Sequence, residues 1–526
     1  MPVPESHIFD RLRDLAAITE PGARPTREIT EVFTGSRLGD IPVGTVADVD
    51  AAFAKARVAQ REWAARSPRE RAAVFERYRT LIFDNREFLM DLLQAESGKA
   101  RAVANAEVLG LALATQFYAR VAPRLLRPYR VPGLFPMLVK TIVHHRPKGV
   151  VGFISPWNYP MLLSIGDAVP ALLAGNAAVL KPDGRTPFSL LANAELLYRA
   201  GLPRDLLAVV PGEGPVVGTR IADSCDYLMF TGSTATGRIL AQRCAGRLIG
   251  FSAELGGKNP MIVTAGADVD TVAAAALRAC FDNAGQLCLS VERIYVEQEI
   301  AERFTDAFVA ATRQMKLGAA YDFSTTMGSL ISADQLERVA KAIADAKSKG
   351  ATVLAGGNAR PDLGPLFFEP TVLTGVTDEM DCARSETFGP LVAIYPVDTV
   401  DEAIARANDS EYGLNSSVWA GSKRQGEEIA RQLGTGSVNV DEGYVPSFGS
   451  MGAPMGGMGA SGIGRRNGVE GLLKYTESQT VATTRYQNLD TPPFLSDEQW
   501  QRMMIPLAKL VSLLPGRDMP PRTRRV

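Results

Sequence analysis

The alternation of short apolar runs with helix-like segments between residues 150 and 256 constrains the fold of this chain most strongly. VVGFI, AAVLK, LLAVV and YLMF are apolar runs typical of buried strands, and segments such as TPFSLLANAELLYRAG lie between them. Strand, helix, strand at this spacing predicts βαβ units that build a parallel sheet. The ligand of such a sheet is expected at the carboxyl ends of its strands.

A second alternating block lies between residues 260 and 460. Its apolar runs include RIYVE, LVAIYPV and SVNVD, with amphipathic stretches such as EIAERFTDAFVAATRQM between them. Residues 45–130 carry apolar residues at three- and four-residue spacing, which is the period of amphipathic helices. We therefore predict an α/β fold with two α/β domains and a helical region before them.

Composition excludes several classes of protein. The 526 residues include 57 Lys and Arg against 58 Asp and Glu, a net charge of 57 − 58 = −1, which argues against nucleic-acid binding through bulk positive charge. The five cysteines are widely spaced and never form CxxC, so we predict no disulfide framework, no metal site and a reducing cytoplasm. No signal peptide and no apolar run long enough to span a bilayer is recognised, which predicts no membrane span.

Residues 488–526 form a tail after the second block. It contains the amphipathic stretch WQRMMIPLAKLVSLL and a basic end from Arg517 to Arg525. We interpret it as a helix that packs on the protein or on a neighbouring subunit, in preference to a membrane contact.

Cys288 is the candidate nucleophile. It follows a helical segment that stops near Asn283-Ala284-Gly285, so it should lie on a loop, where an exposed thiol can ionise and attack. The four other cysteines are predicted to be small core residues: Cys225, Cys244, Cys280 and Cys382.

A nucleophile needs a group that handles protons, and histidine is scarce. The pair His144-His145 stands at what we interpret as a Pro-flanked surface turn, so a carboxylate is the better candidate. Glu254 ends a strand beside Gly256-Gly257, a suitable place for a base. Asn158, between two prolines in SPWNYP, could donate its amide to a developing oxyanion.

The segment FTGSTATGR, residues 230–238, is the candidate phosphate-binding turn. It follows an apolar strand and begins a helix, and Gly232 and Gly237 would let backbone amides approach a pyrophosphate.

Together these segments resemble the aldehyde dehydrogenase superfamily over about residues 40–485. The matching motifs are SPWNYP, KP at 181–182, FTGS, ELGGK, GQxC, ExFGP and SGxGR. The separation of Glu254 and Cys288, 288 − 254 = 34 residues, also fits the family. Within it, the chain looks most like the actinobacterial branch of the bacterial succinate-semialdehyde dehydrogenase (NADP) group.

The resemblance implies a Rossmann-type cofactor domain, an α/β catalytic domain and a small oligomerisation element. The boundaries it suggests are 1–130 with 146–256 for the cofactor domain, 257–460 for the catalytic domain, and 131–145 with 475–487 for the oligomerisation element. It further implies a cytoplasmic homodimer or homotetramer that acts on a small aldehyde and binds neither nucleic acid nor a membrane.

The resemblance also implies a mechanism. The Cys288 thiolate would attack the aldehyde, and the amide of Asn158 with the backbone N–H of Cys288 would hold the oxyanion. After hydride transfer from the thiohemiacetal, Glu254 would activate water to hydrolyse the thioester. The cofactor-binding positions that it implies are Trp157, Lys181, Gly184, Arg185, Gly232, Ser233, Gly237, Leu255, Glu386 and Phe388.

Two departures from the family pattern concern the cofactor and the base. Members that prefer NAD often carry a Glu three residues after the lysine, where this chain has Gly184 followed by Arg185. Loss of an anion and gain of a cation suit a 2′-phosphate, so we predict that NADP is preferred and that NAD is possible. Many members carry a Glu where Arg466 stands here, so no proton relay is assigned to this position.

The substrate is predicted from group similarity to be succinate semialdehyde. The carboxylate-binding arginines of succinate-semialdehyde enzymes correspond, however, to Asp282 and Gly166, and an Asp would repel a substrate carboxylate. An uncharged aliphatic or aromatic aldehyde is the alternative.

Two rival functions remain. A CoA-acylating dehydrogenase would use the same cysteine without needing Glu254 as a hydrolytic base. A non-catalytic protein with this fold would not need Cys288, Glu254 and Asn158 together.

Overall fold

A six-stranded sheet organises the first half of the chain. The computed structural model describes residues 4–132, 139–485, 491 and 493–513. The first five strands run parallel, and the sixth pairs antiparallel with Gly250–Glu254 at one edge. In spatial order the strands are Leu207–Val209, Ala177–Lys181, Val150–Ile154, Tyr227–Thr231, Gly250–Glu254 and Gly462–Ile463. The parallel sheet predicted from the sequence is confirmed.

Helices contact this sheet through apolar side chains. Val46–Ala65 and Ile165–Leu173 both contact the strand Ala177–Lys181, whose five residues are all buried. A strand buried on both faces explains the unbroken apolar run in the sequence. The helices of this half are Ser6–Arg13, Val46–Ala65, Pro68–Asp84, Arg86–Ser97, Arg101–Leu125, Ile165–Leu173, Pro187–Arg199, Thr219–Ser224 and Thr234–Gly246.

The helical region before the sheet contains one more break than the sequence pattern suggests. RERAAVFERYRTLIFDNREFLMDLLQAESGK reads as one helix, but the structure ends a helix at Asp84 and starts another at Arg86. Asn85 closes the first of them, and its side chain donates to the carbonyl of Leu81 at 2.7 Å. A short hairpin of Thr26–Thr30 and Arg37–Pro42 precedes these helices.

A seven-stranded sheet organises the second half. Its strands are parallel except Thr352–Ala355, which pairs antiparallel with Thr371–Thr374. In order they are Thr352–Ala355, Thr371–Thr374, Leu391–Val397, Val291–Glu297, Asn259–Val263, Asn415–Trp419 and Ser437–Val440. The helices of this half are Val269–Phe281, Gln298–Arg313, Ala333–Ser348, Asp381–Arg384, Val400–Asn408, Lys423–Ala430, Val445–Gly449 and Gly468–Leu473.

The two sheets have separate apolar cores. One buried cluster comprises residues from Phe9 to Leu255 together with Leu472 and Tyr475, and the other comprises residues from Met261 to Leu433. We propose that these cores correspond to the two domains expected from the sequence, 1–130 with 146–256 and 257–460.

A third, antiparallel sheet lies outside both cores. Thr476–Thr484 pairs with Val139–Pro147, which pairs with Tyr129–Val131. His144 and His145 therefore stand on a strand, and their interpretation as a surface turn is wrong. After Thr476, the strand Thr476–Thr484 is exposed along its length. We propose this sheet as the oligomerisation element, residues 131–145 and 475–487.

The tail contains the helix Asp497–Ser512. The basic end, Arg517 to Arg525, lies outside the described residues. Within residues 4–132, 139–485 and 493–513, no helix is both long and apolar enough to cross a bilayer.

Candidate active site

The predicted site residues come together beside the carboxyl ends of the first sheet. Cys288, Glu254 and Asn158 line one cavity of about 350 Å³. Seven of the predicted cofactor positions line the same cavity: Trp157, Arg185, Gly232, Ser233, Leu255, Glu386 and Phe388. Lys181 and Gly184 line a neighbouring cavity of about 550 Å³, and Arg185 borders both.

Gly237 is the exception, because it lines neither of these two cavities. It is buried in the helix Thr234–Gly246. A Cβ there would lie 2.6 Å from Leu255 Cδ2. The glycine therefore permits close packing of this helix on Leu255, a different role from the pyrophosphate contact expected of it.

A strained turn places Cys288. The helix Val269–Phe281 ends, and Asn283, Ala284 and Gly285 follow with φ of 54°, 53° and 70°. Left-handed backbone costs on the order of 1–3 kcal/mol for a non-glycine residue, so the surrounding structure must enforce it. At Gly285 a Cβ would lie 2.1 Å from the carbonyl oxygen of Gly389, which requires glycine.

The Cys288 thiol is less exposed and less readily ionised than the sequence predicts. The residue is half-buried, and burial raises the pKa of its thiol to about 12. Arg466 lowers that pKa, whereas Glu254 and Glu386 raise it further. The resting thiol is therefore protonated at neutral pH, and its attack requires a base.

A buried and a half-buried carboxyl group line the cavity, Glu254 and Glu386; because Glu386 accepts from Gly257 N, Glu254 is the candidate base. It is the last residue of the strand Gly250–Glu254 and only 4% exposed. Burial raises the pKa of its carboxyl to about 7, and the nearby cations Arg466 and Lys474 limit the rise. A carboxyl with a pKa near neutrality can accept and release a proton under working conditions.

Hydrogen bonds fix both the side chain and the backbone of Asn158. Its side-chain Nδ2 donates to the carbonyl of Gln286 at 3.1 Å, two residues before Cys288. The backbone carbonyl of Asn158 accepts a hydrogen bond from Lys99 Nζ at 2.7 Å. One N–H of the amide is thus committed, and the second can point into the cavity.

Sequence reasoning missed the ion pair behind Asn158. Lys99 and Glu107 are fully buried and joined to each other, and Glu107 also accepts from the backbone N–H groups of Met161 at 2.8 Å and Leu162 at 3.2 Å. The pair therefore anchors the whole segment that carries Asn158. The available signal was the charge of Glu107 in the largely apolar stretch VANAEVLGLAL, whereas nothing singles out Lys99 in the polar stretch LLQAESGK.

Lys99→Met should destabilise the protein by about 3–5 kcal/mol, because it leaves the buried Glu107 carboxylate without its partner. Chemical denaturation of both proteins measures this loss. Lys341→Met is the matched control, since Lys341 pairs with Glu337 on an exposed helix face. Equal unfolding midpoints for Lys99→Met and the unmodified protein would contradict the assignment.

The wall of the cavity nearest the first sheet suits a phosphate. The strand Tyr227–Thr231 ends, Gly232 follows, and Ser233 caps the helix Thr234–Gly246 by accepting from Thr236 N at 3.3 Å. A helix N-terminus presents unpaired N–H groups and positive potential to an anion.

The opposite wall suits a ring and a ribose. The rings of Trp157 and Phe388 meet edge to face with centroids 5.4 Å apart. Glu386 Oε1 accepts from Gly257 N at 2.9 Å, and a Cβ on Gly256 would lie 2.6 Å from the Glu386 carboxylate. Aromatic walls, a carboxylate acceptor and a helix N-terminus form a donor set that fits a nicotinamide dinucleotide.

Glu292 fixes the loop that carries Glu386 and Phe388. It is a buried residue of the strand Val291–Glu297 and accepts from Thr387 N and Phe388 N, each at 3.0 Å. Its partner is the buried Lys258. This pair was also missed; its only signal was a charge within the buried strand VERIYVE.

Sequence comparison identifies the protein family. A profile of the aldehyde dehydrogenase family matches residues 19–481. The chain belongs to the aldehyde dehydrogenase family. A protein of Mycolicibacterium smegmatis, provisionally named a succinate-semialdehyde dehydrogenase (NADP+), is 65% identical over 517 residues, which are 98% of this chain and 100% of that protein.

Solved structures agree with this membership. An E. coli structure described as an NADP-dependent enzyme has a TM-score of 0.84 and 34% identity, covering 88% of this chain and 95% of the other. The succinate-semialdehyde dehydrogenase of Burkholderia pseudomallei gives the same TM-score, identity and coverage.

This aldehyde dehydrogenase holds Arg466 in a buried ion pair. Arg466 Nη2 donates to Asp167 Oδ2 at 3.0 Å and to Thr231 Oγ1 at 3.1 Å. An arginine keeps its proton at all working pH values, so it supplies fixed positive charge near Glu254 and Cys288 and cannot relay a proton.

The other surroundings of Cys288 are apolar. Cys288 and Phe448 pack against a buried cluster of Val103, Tyr159, Leu163, Leu287, Leu289, Leu414, Tyr444 and Met455. Asp282, at an expected arginine position, accepts a hydrogen bond from the Tyr444 hydroxyl at 2.5 Å, and burial raises the pKa of its carboxyl to about 6. Gly166, the other position, lies in the helix Ile165–Leu173 and packs near Leu162.

Among the described residues, no group of three or more His, Cys, Asp or Glu side chains could hold a metal ion.

Proposed function

We propose that this chain oxidises an aldehyde to its carboxylic acid with NADP+, through a thiohemiacetal and a thioester on Cys288. The observation that carries the proposal is the cavity that Cys288, Glu254 and Asn158 share with the dinucleotide-fitting walls. A nucleophile, a base and an amide donor beside a place for a hydride acceptor are the components that this oxidation requires.

The first step is attack by sulfur. Because burial keeps the thiol protonated, Glu254 accepts its proton as the C–S bond forms. The free N–H of the Asn158 amide and the backbone N–H of Cys288 stabilise the oxyanion. The fixed charge of Arg466 further favours the anionic sulfur.

When bound, a nicotinamide dinucleotide would supply the hydride acceptor for the oxidation of the former aldehyde carbon. Trp157 and Phe388 would flank its nicotinamide, Glu386 would accept from ribose hydroxyls, and Ser233 with Gly232 and Leu255 would border its pyrophosphate. Lys181, Gly184 and Arg185 would line the adenosine end. NADP+ is the preferred cofactor in this proposal, and NAD+ can replace it.

The last step is hydrolysis. Glu254 first releases the thiol proton to solvent and then takes a proton from water as the water oxygen attacks the thioester carbonyl. The C–S bond then breaks, the acid leaves and the Cys288 thiolate takes that proton from Glu254 to regain its thiol. A CoA-acylating enzyme would not need this base, so Glu254 favours hydrolysis over transfer to CoA.

Succinate semialdehyde is the substrate that the names of the relatives support. The apolar cluster beside Cys288 and the hydrogen-bonded Asp282 favour a second candidate, an uncharged aliphatic or aromatic aldehyde. We further propose a cytoplasmic homodimer or homotetramer that uses the exposed strand Thr476–Thr484 in its assembly.

An aldehyde panel tests the function. Succinate semialdehyde, propanal and benzaldehyde are each assayed with NADP+ and NAD+, with and without CoA. We expect the free acid without CoA, higher kcat/KM with NADP+, and saturation by succinate semialdehyde alone below about 1 mM. Saturation by benzaldehyde alone would select the second candidate, and a product that forms only with CoA would contradict the hydrolytic mechanism.

A further inference from the structure

A cavity lined by charged side chains lies next to the one that holds the catalytic groups. Most of the lining of its volume of about 550 Å³ comes from three segments: the hairpin strand Thr26–Thr30, the loop after Lys181, and the turn Gly212–Gly214. Arg27, Lys181 and Arg185 bring three cationic side chains to it. Arg27 is not among the cofactor-binding positions expected from the sequence, although it lies within the expected cofactor domain.

Arg27 fills the space that Gly184 leaves open. A Cβ on Gly184 would lie 1.8 Å from Arg27 Nη1 and 3.0 Å from its Cζ. The guanidinium therefore rests directly over the Gly184 Cα, and any larger side chain at position 184 would displace it. Gly184 thus has a physical role beyond the absence of an acid, since it admits a cation from the hairpin.

The two other cations of this cavity, Lys181 and Arg185, already have partners. Lys181 is buried, and its Nζ donates to the carbonyl of Pro182 at 2.9 Å. The Arg185 guanidinium lies 5.6 Å from the centre of the Trp157 ring, and its Nε lies 3.6 Å from Asp183 Oδ1. Arg185 is therefore turned toward the catalytic cavity.

Four acids also line this cavity: Glu28, Glu96, Asp183 and Glu213. Glu28 lies 3.7 Å from Arg37 Nε, and Asp183 Oδ1 accepts from Arg185 N at 3.0 Å, so both are already engaged. Glu96 accepts from Phe188 N at 2.8 Å and from Ser189 N at 2.6 Å, and burial raises the pKa of its carboxyl to about 8. Glu213 pairs with Arg27, but half of its side chain is exposed, so it can turn into solvent when another acceptor arrives. An exposed pair of this kind contributes little stability and is easily exchanged.

We propose that Arg27 determines cofactor specificity by binding the 2′-phosphate of NADP+, exchanging Glu213 for that phosphate. The proposal rests on the proposed function, which places the adenosine end of NADP+ in this cavity. A guanidinium binds a phosphate through two parallel N–H donors, and a phosphate offers more charge than the carboxylate it replaces. In this proposal Arg27 makes the main contact with the phosphate, whereas Arg185, assigned this task from the sequence, borders both cavities and lies against the Trp157 ring.

Equilibrium binding to the full-length protein tests the proposal. Isothermal titration calorimetry compares adenosine 2′,5′-bisphosphate with AMP, which lacks the 2′-phosphate. Arg27→Gln should weaken bisphosphate binding about 10- to 100-fold, the loss of one charge-assisted contact, and leave AMP binding unchanged. The ratio of kcat/KM for NADP+ to that for NAD+ should fall by the same factor.

Two further variants complete the test. Arg303→Gln, on the exposed face of the helix Gln298–Arg313, removes an arginine paired with Asp270 and should change neither affinity. Arg185→Gln should alter the bisphosphate-to-AMP ratio far less than Arg27→Gln does. Thermal melting verifies that each variant is folded.

The outcomes distinguish the proposed NADP+ preference from the proposed role of Arg27. If the unmodified protein binds bisphosphate no more tightly than AMP, the proposed NADP+ preference is wrong and the role of Arg27 falls with it. If it prefers bisphosphate and Arg27→Gln keeps that preference, or Arg185→Gln loses it, only the role of Arg27 is overturned.

Discussion

Cys288→Ala should abolish aldehyde oxidation, lowering kcat/KM on the order of 10⁴-fold or more, because no other group can form the covalent intermediate. Initial rates of NADPH formation with saturating aldehyde measure the effect. Alanine removes only the sulfur from a half-buried position, so the fold and the cofactor cleft should persist. NADP+ affinity, measured by calorimetry, should therefore remain unchanged.

Cys244→Ala is the matched control for this variant. Cys244 is buried in the helix Thr234–Gly246 and packs as a small apolar group outside the catalytic cavity. Its substitution should leave kcat/KM unaltered. A Cys288→Ala protein that oxidises aldehyde at the unmodified rate would refute covalent catalysis by this thiol.

Glu254→Gln should lower kcat about 10²- to 10⁴-fold, because glutamine cannot accept a proton from the attacking water or thiol. The variant should also change the pH profile. A base works in its deprotonated form, and burial raises the pKa of this carboxyl to about 7. In the unmodified protein kcat should therefore fall as the pH drops through about 7, and this limb should be absent from the variant.

Glu411→Gln controls for the loss of a carboxylate as such. Glu411 pairs with Arg238 at the surface, so its substitution should preserve both kcat and the limb near pH 7. The role of Glu254 would be untenable if Glu254→Gln kept the unmodified kcat and pH profile.

Local sequence patterns predicted the parallel sheets because buried parallel strands are apolar on both faces. Ala177–Lys181 and Tyr227–Thr231 carry that pattern without interruption, and Thr234–Gly246 follows directly as a helix. Glu254 ends the strand Gly250–Glu254, and Gly232 follows the neighbouring parallel strand Tyr227–Thr231. Because the carboxyl ends of parallel strands meet at one edge of the sheet, the two residues line the same cavity.

Contacts between distant segments could not be predicted in this way. Arg27 and Gly184 are separated by 184 − 27 = 157 residues, and nothing in the local sequence of either one indicates the other. Lys99 and Asn158 present the same difficulty, since their hydrogen bond depends on how a helix end packs under a loop. The burial of Cys288 also escaped prediction, because tertiary packing enforces the left-handed turn at Asn283 and Ala284.

The central claim is that Cys288 carries the acyl group until Glu254 activates the water that hydrolyses the thioester. The most direct measurement is peptide mass mapping of the unmodified protein, quenched in acid at a series of times within the first turnover with NADP+ and succinate semialdehyde. We expect an acyl group on the peptide that contains Cys288, which appears as NADPH forms and disappears as the acid is released. NADPH formed stoichiometrically while Cys288 remains unmodified at every time would contradict the mechanism.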